Sequence, residues 1–181
     1  MLDKHATSDN SLPRILFTMQ NKRDKVIFLC TGNICRSPMG EALLKKAIAD
    51  DGSPELQKLS VISAGTSTVD GMPPSANSVA ALKRIDIDIS GHRSRLLTQK
   101  LVDEAFAIFG LAQSHLSALR RNYDNLPERV FTVLEIADPS GNLDIADPYG
   151  GDLDEYLDVR DEIAAAIPSI LLYLKNELKK A

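Results

Sequence analysis

Cysteine is scarce in this chain, with only Cys30 and Cys35 among 181 residues. Two cysteines five positions apart cannot provide the disulfide framework of a small secreted domain. We therefore interpret both as reactive thiols of an intracellular protein. A third cysteine is absent, which disfavours chemistry that passes a disulfide along several cysteines of one chain.

Long apolar runs and an excess of basic residues are absent as well. No stretch approaches the roughly 18 apolar residues of a membrane span, and residues 15–17 are too short for the core of a signal peptide. The net charge of −4 argues against nonspecific nucleic-acid binding, which needs a basic surface. The Gly-x-Gly-x-x-Gly loop of dinucleotide-binding enzymes is also missing. These absences predict a cytoplasmic protein without a membrane or nucleic-acid partner.

The composition favours one globular domain. Apolar residues make up 44% of the chain and charged residues 25%, which is typical of a soluble fold. The first residues are polar and include Pro13, so we predict a loosely held N-terminal extension over residues 1–24, with one short element at 14–19. The folded domain is predicted over residues 25–181.

Short apolar runs alternate with helical patterns along that domain. Strands are predicted at residues 26–29, 59–64, 104–111 and 129–134, and helices at 38–49, 72–84, 113–121 and 152–180. Pro168 falls inside the last helix and is predicted to bend or split it. Because strands alternate with helices, we predict an α/β fold with three layers, in which helices cover both sides of a parallel sheet.

The segment CTGNICRS, residues 30–37, joins the first predicted strand to a helix that Pro38 opens. Active sites of parallel α/β sheets lie beyond the carboxyl ends of the strands, where this segment falls. A loop entering a helix can turn several backbone N–H groups toward one anion. Gly32 and Asn33 tolerate the positive φ angles of such a tight turn. We predict that the loop binds phosphate or a similar oxyanion.

Side chains of this loop predict its chemistry. The planar guanidinium of Arg36 can hold two phosphate oxygens at once. Its positive surroundings favour the thiolate of Cys30, which can attack phosphorus directly. Ser37 can donate a hydrogen bond to that thiolate and make it a better leaving group in a second step. The other predicted members of the phosphate-binding loop are Thr31, Gly32, Asn33, Ile34 and Cys35.

Cleavage of a phosphate ester also needs an acid that protonates the leaving oxygen, which predicts an acidic to near-neutral pH optimum. Two Asp-Pro pairs occur late in the chain, at Asp138 and Asp147. We prefer Asp147, because the nearby Tyr149 can stack on a substrate ring. The two glycines that follow, at residues 150–151, also make this loop flexible. Asp138 fits better as the start of a turn.

The segments FLCTGNICRSPMGEALLK and DPYGGDLDEY, in this order and spacing, resemble the low-molecular-weight protein-tyrosine phosphatase family of bacterial type. The resemblance runs from about residue 25 to the C-terminus. It implies a four-stranded parallel sheet flanked by helices in flavodoxin-like order, and a phosphatase that uses no metal or cofactor on phosphorylated protein substrates. It also implies that Cys30 forms a cysteinyl-phosphate, that Arg36 binds phosphate and that Asp147 is the acid.

The same resemblance implies roles that the residue pattern alone does not single out. Asn33 and Ser37 are implied to form a supporting hydrogen-bond network with Ser63 and His92. His115 has no such support, and we interpret it as a residue on the surface of a helix.

Cys35 stands next to the loop arginine and has two interpretations of equal weight. The resemblance implies a reversible disulfide between Cys35 and Cys30 that protects the nucleophile from irreversible oxidation. The alternative is an inert cysteine that packs in the core.

Departures from the family pattern leave the substrate open. Residues 68–70 read Thr-Val-Asp where members often carry an aromatic, so Tyr149 is the predicted aromatic wall of the substrate slot. Residues 111–115 lack the acid that members often carry there. Ile34 resembles the tyrosine-specific members, whereas residues 30–33 and 130–135 resemble bacterial arginine phosphatases, which tend to have Thr in place of Ile34.

A residue that lines the pocket outweighs scaffold similarity, so we predict a phosphotyrosine phosphatase. Protein-arginine phosphatase is the nearest alternative. Thiol-dependent arsenate reduction is a further one, which would need the thiol of a partner. A phosphate-binding module without activity is disfavoured, because Cys30, Arg36 and Asp147 are all present.

Overall fold

The structure, a computed structural model, describes residues 23–180. Its strands are β1 (Lys25–Cys30), β2 (Ser60–Gly65), β3 (Ala105–Gly110) and β4 (Val130–Thr132). Its helices are α1 (Arg36–Asp51), α2 (Ala76–Lys83), α3 (Gln99–Asp103), α4 (Gln113–Asn122), α5 (Val133–Ala137) and α6 (Leu153–Leu178), with a short 3₁₀ turn at Leu56–Lys58. The predicted N-terminal extension and its short element lie outside the described residues, apart from Arg23 and Asp24.

The four strands form one parallel sheet in the order β2-β1-β3-β4. This confirms the predicted three-layer fold and its flavodoxin-like order. The central strand β1 is a continuous apolar run, because both of its faces are covered by helices. Its residues 26–29 are fully buried.

Alternate residues of β1 enter two separate cores. Val26 and Phe28 pack with α1, α2, α5 and α6 on one side of the sheet. Ile27 and Leu29 pack with α3 and α4 on the other side. Since these contacts hold β1 from both faces, its last residue, Cys30, is fixed at the carboxyl edge of the sheet. No helix in the described part of the chain is long and apolar enough to cross a membrane.

Several element boundaries differ from the predicted ones. The fourth strand ends at Thr132 and α5 begins at Val133, because Thr132 and Glu135 form a reciprocal capping box. The second helix begins at Ala76, where Ser75 accepts a hydrogen bond from the backbone N–H of Ser78. Helix α3 is an element that we did not predict.

The closing helix α6 is continuous through Pro168. Of the two predicted outcomes, a bend or a split, the split therefore does not occur. A proline inside a helix removes one backbone hydrogen bond. Buried apolar side chains on both sides of it hold the helix against the sheet, and they are Ile163, Ile167, Ile170 and Leu174. Their burial outweighs the lost bond.

Candidate active site

The loop between β1 and α1 bends sharply at the carboxyl edge of the sheet. Asn33 adopts a positive φ of 54°, whereas Gly32 does not have a positive φ angle. Helix α1 begins at Arg36, two residues before the predicted start at Pro38, so the loop arginine and Ser37 already belong to its first turn. The first turn of α1 therefore lies beside Cys30, which Ser37 contacts, and the N-terminus of a helix favours anion binding.

The Cys30 sulfur lies at the floor of the loop, in a residue that is only 3% exposed. The backbone N–H of Asn33 donates to Sγ over 3.3 Å. The hydroxyl oxygen of Ser37 lies 2.9 Å from the same sulfur. A thiolate at this position can accept both hydrogen bonds, which stabilise the ionised nucleophile.

The structure brings together the four residues that the resemblance placed in a supporting network. Asn33 Nδ2 donates to Ser37 Oγ over 2.9 Å and to Ser63 Oγ over 2.8 Å. His92 Nε2 lies 2.8 Å from the backbone carbonyl oxygen of Asn33, and it must donate because a carbonyl oxygen only accepts. Burial lowers the pKa of His92. The neutral ring therefore carries its proton on Nε2.

Glu41 is a member of this network that sequence reasoning missed. It lies in α1, and its Oε2 accepts a hydrogen bond from Ser63 Oγ over 2.6 Å. Its other oxygen pairs with Lys45, one helical turn further along. A Glu-Lys pair at this spacing is typical of a solvated helix face, so the residue pattern contains no signal that Glu41 is buried.

Arg36 connects the loop to the late Asp-Pro motif. Its Nη2 lies 2.6 Å from Asp147 Oδ2, and its Nη1 donates to the carbonyl oxygen of Ile145 over 3.1 Å. Asp138 lies elsewhere, in a turn where its carboxylate accepts hydrogen bonds from the backbone and hydroxyl of Ser140. Of the two candidate acids, the structure therefore places Asp147 beside the loop.

A cavity of about 530 Å³ opens above the Cys30 sulfur. Its mouth is apolar, because the exposed side chains of Val69, Met72 and Tyr149 stand around it. Ile34 forms part of the wall, and Tyr149 is the single aromatic residue among the described residues that line the cavity. The charged residues that line it are Arg36, which is buried, and Asp147, which is half-exposed.

Cys35 lines the same cavity as Cys30 and has a hydrogen-bond partner of its own. Its Sγ lies 3.3 Å from the hydroxyl of Tyr156, and both cysteines are free thiols. Burial raises the pKa of Cys35 and raises that of Tyr156 to about 12. Both groups are therefore neutral near pH 7. The reversible disulfide with Cys30 stays a prediction.

The interpretation of His115 as a surface residue is wrong, since it is only 4% exposed. Helix α4 starts directly after β3, so its first turn packs against the loop. His115 Nε2 lies 3.2 Å from Thr31 Oγ1, and Nδ1 has no protein partner. The buried residues Leu116 and Leu119 lie on the same helix, and this periodicity was the available signal.

Burial, assisted by the nearby charge of Arg36, lowers the pKa of His115 to about 4. In the unfolded chain a histidine titrates near pH 6.5. Between these values the unfolded state binds more protons, so acid favours unfolding. We expect the free energy of unfolding to fall by about 2 kcal/mol between about pH 7.5 and pH 5 because of this one residue.

Urea unfolding of the wild type and of His115→Gln at both pH values measures this contribution. The wild type should lose about 2 kcal/mol more stability on acidification than the variant does. An equal loss in the two proteins would show that His115 is not buried in its neutral form.

Comparisons with known proteins point to one family for this chain. The family model described as low molecular weight phosphotyrosine protein phosphatase matches residues 25–181. A protein-arginine-phosphatase of Bacillus subtilis is 33% identical over 155 residues, which are 86% of this chain and 97% of that protein. A low molecular weight protein-tyrosine-phosphatase of Streptomyces coelicolor is 31% identical over 162 residues, which cover 86% of this chain and 96% of that protein. The solved low molecular weight protein tyrosine phosphatase of T. tengcongensis gives a TM-score of 0.75 at 31% identity, with 82% of this chain and 98% of that one covered.

Proposed function

This chain belongs to the low molecular weight phosphotyrosine protein phosphatase family, and from that premise we propose that it hydrolyses phosphotyrosine in proteins through a cysteinyl-phosphate on Cys30. The observation that carries the proposal is the position of the sulfur. It lies at the floor of an open cavity, within hydrogen-bond distance of two donors and beside Arg36. The loop around it would bind phosphate or a similar oxyanion.

In the first step the Cys30 thiolate attacks phosphorus. An S–P bond forms, and the P–O bond to the tyrosine ring breaks. Asp147 gives its proton to the departing oxygen, so that tyrosine leaves as a neutral phenol. Arg36 and the backbone N–H groups of the loop stabilise the charge on the oxygens of the transferring phosphoryl group.

In the second step Asp147, now a carboxylate, takes a proton from a water molecule whose oxygen attacks phosphorus. The S–P bond breaks, and its electron pair returns to the Cys30 sulfur. Ser37, whose hydroxyl lies 2.9 Å from Sγ, stabilises the leaving thiolate. Inorganic phosphate is released and Asp147 is protonated again.

The apolar wall of the cavity supports an aromatic substrate. A phenyl ring between Ile34 and Tyr149 would bury apolar surface on both faces. Phosphoarginine instead carries a guanidinium group whose N–H donors find no acceptor on Ile34 and would depend on Asp147 and the hydroxyls of Ser67 and Thr68, and donors left unpaired are costly. The wall therefore favours phosphotyrosine.

Protein-arginine phosphatase is the second candidate, since the Bacillus subtilis relative bears that name at 33% identity. Arsenate reduction is less well supported, because the chain has two cysteines and a disulfide relay would need a further thiol. We also propose that residues 25–181 act as the phosphatase domain, with residues 1–24 as an extension. A cytoplasmic location fits an enzyme whose thiol nucleophile must stay reduced.

The test is a comparison of initial rates on phosphotyrosine and phosphoarginine peptides with identical flanking sequences, with Cys30→Ser as the background. We expect kcat/KM to be at least about tenfold higher for phosphotyrosine. Ile34→Thr should reduce that ratio, because it replaces an apolar wall with a hydroxyl. A preference for phosphoarginine would overturn the substrate but not the chemistry, whereas inactivity on both would overturn the proposed reaction.

A further inference from the structure

Glu41 lies one helical turn after Ser37 in α1 and is 9% exposed. We propose that Glu41 is a positioning residue that, through Ser63, anchors the Asn33 amide, whose other hydrogen bond orients Ser37 toward the Cys30 sulfur. This inference rests on the proposed function, because it concerns the nucleophile of that reaction. Glu41 itself lies behind the loop and does not line the cavity above the sulfur.

The carboxylate of Glu41 can only accept hydrogen bonds. Ser63 has one hydroxyl hydrogen, and it donates this hydrogen to Glu41 Oε2 over 2.6 Å. Ser63 Oγ is therefore left as an acceptor for Asn33 Nδ2, which lies 2.8 Å away. Because Glu41 cannot donate, it fixes the direction of the Ser63 hydroxyl.

The orientation of the Asn33 amide is fixed independently. Its Oδ1 accepts a hydrogen bond from the backbone N–H of Arg95 over 2.9 Å, so Nδ2 must point toward the two serines. One Nδ2 hydrogen goes to Ser63 and the other to Ser37 Oγ, 2.9 Å away. Ser37 therefore accepts from Asn33 and keeps its own hydrogen free.

The free hydrogen of Ser37 has the Cys30 sulfur as its acceptor, 2.9 Å away. The series thus divides at Asn33, whose amide donates toward Glu41 through Ser63 and toward the Cys30 sulfur through Ser37. Hydrogen bonds to a charged group are worth more than those between neutral groups, and they favour the ionised form of their acceptor. Glu41 thereby acts on Cys30 through three intervening side chains.

The charge of Glu41 is balanced at the other end. Lys45 pairs with its Oε1, and Glu41 lines a polar cleft with Lys45, His92 and Arg95. The cations Lys45 and Arg95 offset the negative charge near the nucleophile. What Glu41 contributes to the network is an acceptor for Ser63 rather than its net charge.

Without that acceptor the Ser63 hydroxyl is a buried donor with no partner, which is costly. Ser63 then turns away from Asn33, and the Asn33 amide loses one of its contacts. Asn33 is then held only by the Arg95 N–H and by Ser37, so it positions the Ser37 hydroxyl less firmly toward the sulfur. Compared with the wild type, we expect the Cys30 thiolate to form less readily. We also expect the Cys30 sulfur to leave phosphorus more slowly in the second step.

Two substitutions at Glu41 separate the acceptor from the charge. Glu41→Met removes both, while Glu41→Gln removes the charge but keeps an amide oxygen that can accept from Ser63. The measurement is the rate of alkylation of Cys30 by iodoacetamide as a function of pH, located by peptide mass mapping. In a second arm kcat and KM are measured on a phosphotyrosine peptide.

In Glu41→Met, Cys30 should be alkylated about tenfold more slowly in acid than in the wild type. The same variant should have an about tenfold lower kcat at a similar KM. Glu41→Gln should lie within about threefold of the wild type in both measurements. Equal behaviour of the two variants, whether both are impaired or both are normal, would overturn the proposal. Alkylation needs no substrate, so this outcome is distinguishable from a failure of the phosphotyrosine assignment.

Discussion

Cys30→Ser should lower kcat on phosphotyrosine peptides by about 10⁴-fold or more, because the residue supplies the attacking electron pair. A serine hydroxyl at this position stays protonated near neutral pH and is a poor nucleophile toward phosphorus. The substitution is almost isosteric in a residue that is 3% exposed, so the fold should be retained. Steady-state kinetics together with thermal unfolding measure the two effects.

Cys35→Ser is the matched control, since both cysteines are buried in the same loop. Its sulfur contacts the hydroxyl of Tyr156 and none of the donors to Cys30. We expect Cys35→Ser to keep activity within about tenfold of the wild type, as substitutions outside the reacting group do. Similar losses in the two variants would mean that the loop needs both thiols for its structure, and the assignment of Cys30 as nucleophile would fail.

Asp147→Asn should lower kcat on a phosphotyrosine peptide by about 10²–10³-fold, because an amide cannot protonate the tyrosine oxygen. The carboxylate lies beside the loop, 2.6 Å from Arg36. The loss should be much smaller in the first step on p-nitrophenyl phosphate, whose leaving group needs little protonation. This dependence on the leaving group separates the acid from a merely structural partner of Arg36.

Asp138→Asn provides the comparison, because it changes the same residue type in the other Asp-Pro pair. Asp138 accepts hydrogen bonds from Ser140 in an exposed turn and should affect activity by less than about twofold. Burst kinetics on both substrates give the rates of the two chemical steps. If Asp138→Asn were the slower variant, the choice between the two motifs would be reversed.

The site could be located from the sequence because its parts are local. An apolar run buried on both faces, followed by a loop and a helix, forces Cys30 to the carboxyl edge of the sheet. The direct partners of its sulfur, Asn33 and Ser37, lie within the same loop. Local spacing was therefore enough to predict which residues surround the nucleophile.

The parts that were missed depend on contacts between distant segments. Glu41 has the sequence signature of a solvated helix face, and only the packing of α1 against β2 brings Ser63 to it. His115 lies on the apolar face of α4 with Leu116 and Leu119, a signal that was overlooked, and its contact with the loop depends on where α4 starts. The boundary at Thr132 was missed for another reason, since its capping box was overlooked between the apolar pairs at residues 130–131 and 133–134.

The central claim is that phosphate passes through Cys30, and trapping that intermediate tests it most directly. Asp147→Asn should be mixed with p-nitrophenyl phosphate, because the first step then proceeds while the hydrolysis of the intermediate lacks its base. After quenching in denaturant, peptide mass mapping should find one phosphoryl group on the Cys30 side chain. A phosphoryl group on another residue, or product formation with no labelled protein at any time, would contradict the claim.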